Sequence, residues 1–236
     1  MKLRNTTISI PAEGVWLDGL LSHQPLVHGL ALILLPGAGD RASEREQRVA
    51  QVLHDAGLAT LTIDLLTRHE ETRDPDARFN VPQLANRVLA VAEWIGHQPP
   101  LVPLAIGLVA SGTASGAAVR AAWKAPERFA AIVCRGGRPD LAGAAPLEAL
   151  GLPIRIVVGS LDPDQHIIMQ AYERIRGPRD TQVVAGAGAL FAEPGALDQF
   201  ARLASDWLCH KLPEPRPVEA ASPERSPDDP GFTGPL

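Results

Sequence analysis

Ile106-Gly107-Leu108-Val109-Ala110-Ser111-Gly112-Thr113-Ala114-Ser115-Gly116-Ala117-Ala118 joins an apolar run to an alanine-rich one through small residues alone. The apolar part predicts a strand over Pro103–Ala110, and the alanine-rich part a helix over Ser115–Lys124. A strand that passes into a helix almost without a linker opens a βα unit, and its next strand must return parallel.

The same alternation extends in both directions. Upstream, Leu30–Leu35 is a strand ending at Pro36-Gly37-Ala38-Gly39. Ser43 and Glu46 have the spacing of a capping box, and Val49, Val52, Leu53 and Ala56 share one face of the helix that follows, stopped by Gly57. Leu58–Leu65 is a strand, Arg68–Phe79 a charged, irregular loop, and Leu84, Val88, Val91 and Ile95 recur at helical spacing. Downstream come strands over Phe129–Cys134, Ile154–Gly159 and Thr181–Val184. A helix runs over His166–Ile175, and Leu197, Phe200, Ala204, Trp207 and Leu208 form the apolar face of a last one. Thr7–Ile10 and Val15–Leu21 read as an opening antiparallel pair. The expected fold is α/β: a mostly parallel, twisted sheet with helices on both faces.

This domain is expected over 1–212. From Pro213 the chain is rich in proline and charge and poor in large apolar residues, so 213–236 is expected to be a disordered, Pro-rich acidic tail. The 236 residues carry a net charge of −5 with no basic block, which argues against a nucleic-acid surface. No apolar run reaches membrane-spanning length. The two cysteines, Cys134 and Cys209, sit in apolar segments and read as buried thiols of a reducing compartment, so the expected location is cytoplasmic.

In open parallel sheets, ligands sit beyond the carboxyl ends of the strands. Here those ends read LLPGAGDRASER at 34–45, IGLVASGTASGAA at 106–118, CRGGRPDLAG at 134–143, VVGSLDPD at 157–164 and VVAGAGALFAEPGAL at 183–197. In this order they resemble the dienelactone-hydrolase-like branch of the α/β-hydrolase fold over nearly all of residues 25–210, with RGGRPDLAG and LFAEPGAL the most specific stretches. The resemblance implies a nucleophile elbow of the form Gly-x-Ser-x-Gly and a triad in the order Ser, Asp, His. By that register the serine position is Gly112, flanked by Ala110 and Ala114. The acid position is Asp162, and the histidine position is Ala189. The backbone N–H groups of Ala38 and Thr113 are the implied oxyanion donors.

Serine supplies the nucleophile in such a triad and histidine moves its proton, so neither task can be done by the side chain of Gly112 or Ala189. The chain therefore reads as a catalytically degenerate, esterase-like hydrolase that keeps a pocket for a small molecule or a protein partner. The alternative is an active carboxylic-ester hydrolase with a displaced nucleophile such as Ser111. Against it, strand alternation turns Ser111 away from the site. Ser115 reads as a helix-terminus hydroxyl, Cys134 as structural and His166 as an ordinary helix residue. Arg41, Arg45, Arg135 and Arg138 lie near strand ends. They either pair with Asp40, Asp64, Asp140 and Asp162 or make the pocket, with Arg41 and Arg138 foremost, friendly to anions. No metal-ligand spacing, P-loop or dinucleotide fingerprint occurs, so no metal and no cofactor is expected.

Overall fold

The computed structural model describes residues 4–215. The last 21 positions of the expected tail, 216–236, lie outside the described residues. The strands are β1 (Arg4–Ala12), β2 (Val15–His23), β3 (Gly29–Leu35), β4 (Leu58–Asp64), β5 (Ile106–Ser111), β6 (Ala131–Arg135), β7 (Ile154–Gly159) and β8 (Arg179–Val184). They form one eight-stranded sheet in the order β1-β2-β4-β3-β5-β6-β7-β8. β1 and β2 are antiparallel to each other, as is β2 to β4, and every other pairing is parallel. β5, which feeds the elbow, sits fourth from the β8 edge, with β3 and β6 as its neighbours.

Helices cover both faces. Leu30, Leu32 and Leu34 of β3 face one core and Ala31, Ile33 and Leu35 the other, as period-two alternation requires. The first core is closed by α3 (Val81–Gly96), α4 (Ala114–Lys124), α5 (Ala144–Glu148) and α6 (Gln165–Arg174). The second is closed by α1 (Glu44–Asp55) and α7 (Ala196–Lys211). Among the described residues no helix is long and apolar enough to cross a membrane.

Two local expectations are corrected. The segment expected as a loop forms α2 (Arg68–Arg73) and a 3₁₀ turn over Pro75–Phe79. The cause is a full capping box: Thr67 Oγ1 accepts from the Glu70 amide at 3.2 Å while the Glu70 carboxylate accepts from the Thr67 amide at 2.9 Å. At α1 the box is only half formed. Ser43 accepts from the Glu46 amide at 3.4 Å, but the Glu46 carboxylate turns to Arg135 instead of back to Ser43.

Candidate active site

β5 ends at Ser111, and α4 begins at Ala114, so the turn between them is Gly112-Thr113. Gly112 has a φ of +54°, a conformation open to glycine and costly for other L-residues. Its carbonyl accepts from the Arg138 amide at 2.9 Å. A Cβ on Gly137 would lie 2.5 Å from the Gly112 oxygen and 2.8 Å from its nitrogen. The glycines of the 136–137 pair thus let the loop after β6 close onto the elbow.

The loop after β3 is shaped by Asp64, buried at the end of β4. Its carboxylate accepts from the Gly39 amide at 3.0 Å, the Arg41 amide at 3.1 Å and the Arg41 guanidinium at 2.6 Å. Arg41 also reaches Asp18 at 3.2 Å. Arg41 thus braces this loop and is not part of the cavity wall, contrary to the anion-binding expectation. The Ala38 amide donates to Oε2 of Glu71 at 3.3 Å, and the Thr113 hydroxyl donates to the Arg78 carbonyl. Both expected oxyanion residues therefore touch the segment that carries α2.

Gly112, Asp162 and Ala189 come together around one cavity of about 460 Å³. Its wall includes Pro36, Asp40, Arg45, Ser111, Arg135 and Arg138. Asp162 is buried, and its Oδ1 accepts from the Asp164 amide at 2.9 Å. None of the four arginines supplies its partner. Arg138 forms a two-pronged fork on Asp140 at 2.9 and 2.8 Å. Arg45 donates to the Leu190 carbonyl, crossing toward the loop that holds Ala189. Arg135 pairs with Glu46 at 2.6 Å, both buried, with its guanidinium 5.4 Å from the Phe200 ring centre. Sequence reasoning missed Glu46 in this role and Glu71 altogether, because each meets its partner across a long stretch of chain.

Burial pushes Asp40 above the ordinary carboxylate range, and the charges of Asp64, Glu71 and Glu46 push the same way. Ser111 is half-buried and is among the residues lining the cavity. As the last residue of its strand it shares the face of Val109, the α1 and α7 side, as strand alternation requires. Ser115 is buried and donates to the Gly136 carbonyl at 3.4 Å. Burial pushes the Cys134 thiol up to about 12, a structural thiol. His166 is exposed, and no histidine is among the residues lining the cavity. Among the described residues no group of three or more His, Cys, Asp or Glu is placed to hold a metal ion.

No protein-family model matches the chain. It is 36% identical to a dienelactone hydrolase from Anabaena variabilis of known structure, with a TM-score of 0.84 over 90% of this chain and 100% of that one. Est1E from Butyrivibrio proteoclasticus superposes with a TM-score of 0.69 at 12% identity over 86% of this chain and 98% of the other, a likeness of fold. A Mycobacterium tuberculosis protein provisionally named a phosphoribosyl transferase is 36% identical over 219 residues, which are 91% of this chain and 48% of that protein. The chain spans about half the length of the curated relatives it matches.

Proposed function

The chain belongs to the dienelactone-hydrolase-like branch of the α/β-hydrolase fold, and from that premise we propose that it binds a small molecule in the family's cavity without performing the triad reaction. One observation carries the reading. The residue of positive φ at the elbow is a glycine, and the cavity it shares with Asp162 has Ala189 where a histidine would complete the set. Neither side chain can attack a carbonyl or carry a proton. In a serine protease, losing the nucleophile or the histidine alone lowers turnover by about a millionfold. What this site keeps is shape, a buried carboxylate at 162 and polar backbone around the elbow. We place the protein in the cytoplasm, with both cysteines free thiols. The transferase name of the longer relatives belongs to proteins about twice this length and forms no part of the proposal.

A second reading rests on Ser111, which lines the same cavity. It would make the chain an ester hydrolase with a displaced nucleophile. Its weakness is the base: the carboxylate beside it, Glu46, is already held by Arg135.

Hydrolysis of a short-chain p-nitrophenyl ester separates the two. The native protein should match the background rate, and the double variant Gly112→Ser, Ala189→His should gain measurable turnover. Native turnover well above background that disappears in Ser111→Ala would overturn the binding role in favour of the displaced nucleophile.

A further inference from the structure

Asp162 is a buried carboxylate without a counter-charge. Its Oδ1 accepts from the Asp164 amide at 2.9 Å, and no donor reaches Oδ2 among the described residues. Each arginine that lines the cavity is engaged elsewhere: Arg135 with Glu46, Arg138 with Asp140 and Arg45 with the Leu190 carbonyl. A carboxylate withdrawn from water and left half-satisfied is costly, so whatever brings it a cation with a donor N–H gains that cost back on binding.

The room for such a group is fixed by the backbone. The loops after β7 and β8 are tied to each other, the Leu161 amide donating to the Ala187 carbonyl at 2.9 Å and the Gly186 amide to Ser160 Oγ at 2.8 Å. Buried Phe191 anchors the second loop beyond Ala189, its amide donating to the Gly188 carbonyl at 3.1 Å. Between these anchors Ala189 offers only a methyl group to the cavity it shares with Asp162.

The charge of the wall has the matching sign. Once the Arg135–Glu46 pair is set aside and Arg138 is neutralised by Asp140, the lining keeps Asp40, Asp162 and Asp164 against Arg45 alone. Burial first, and then the carboxylates of Asp64, Glu71 and Glu46, raise Asp40 in the same surroundings. None of the lining residues is aromatic, so a cation here is held by hydrogen bonds to carboxylate and not by ring faces. The cation must therefore carry N–H.

We propose that Asp162 and the space over Ala189 form a subsite for a small organic cation bearing N–H, a protonated amine or imidazole carried by the ligand. The inference rests on the binding role and names its ligand class.

The test titrates the full chain, labelled with ¹⁵N, with imidazole at pH 6 and constant ionic strength. The Asp164 and Ala189 amide resonances should move together, and tetramethylammonium, a cation without N–H, should leave them in place. At pH 9, where imidazole is neutral, the midpoint should rise about tenfold, the loss of one charged hydrogen bond. Asp162→Asn keeps an acceptor for the Asp164 amide but no charge, and should raise the pH 6 midpoint by about the same factor. Ala189→His is a second variant at an exposed position, and its attached ring should compete with the probe and raise the midpoint as well. A midpoint that is the same in the native protein and both variants, or an equal response to tetramethylammonium, would sink the subsite. Ester turnover by the native protein would instead sink the binding role and leave the imidazole titration as measured, so the two failures are distinguishable.

Discussion

Gly112 holds its φ of +54° without strain because it has no Cβ. A serine there would carry a left-handed backbone, and its Cβ would stand 3.2 Å from Pro36 Cγ. Gly112→Ser should therefore lower unfolding free energy by about 1–2 kcal/mol. Gly137→Ala should cost more, about 3 kcal/mol, since its Cβ would press on the elbow backbone itself. Ala189 is exposed, so Ala189→His should stay within about 0.5 kcal/mol of native. Urea denaturation of the three single variants checks the order. A Gly112→Ser protein as stable as the native one would mean that the elbow relaxes to a different conformation.

α2 owes its place to one pair. Arg87 is fully buried on α3 and holds Glu70, and it also donates to the Leu65 carbonyl at 2.7 Å. Burial alone would raise Glu70, but hydrogen bonds from Arg87 and Thr67 outweigh it and hold the carboxyl at about 2. A carboxyl depressed in the folded state stabilises the fold above its unfolded value and loses that contribution as the pH falls through its folded value. The window here runs from the ordinary 4.5 down to about 2. Over that range the urea midpoint of the native protein should fall more steeply than that of Glu70→Gln, and parallel slopes would refute the account. This element also shows what the sequence could and could not tell. Thr67-x-x-Glu70 is a legible start signal, yet a dense run of charge from Arg68 to Arg78 hid it and left an expected loop. Strand ends were legible because apolar runs stop abruptly at glycine and proline, whereas Gly112, Asp162 and Ala189 were singled out by the resemblance to the family and not by that pattern. Arg135 with Glu46, and Glu71 with Ala38, were not legible. Each pair is joined by the folded sheet across 89 and 33 positions, a separation at which local spacing carries no signal.

The whole molecule is divided by its sheet. Alternate residues of the central strands feed two cores, one under α3 to α6 and one under α1 and α7. Val88 of α3 and Leu53 of α1 are fully buried on opposite sides. Leu53→Ala should cost about 2–5 kcal/mol and Val88→Ala about 2 kcal/mol, each by transfer and cavity terms. With no shared neighbours, the double variant should equal their sum within about 0.5 kcal/mol. Denaturation of the two single variants and the double one tests this, and a coupling well above that margin would show that the sheet transmits packing strain between its faces. The glycine at the elbow has a last consequence, for descent. A chain with serine at 112 and histidine at 189 differs from this one by two substitutions. By the stabilities expected above, the substitution at 112 carries the cost and the one at 189 almost none, so acquiring histidine at 189 before serine at 112 is the order that postpones the destabilised state.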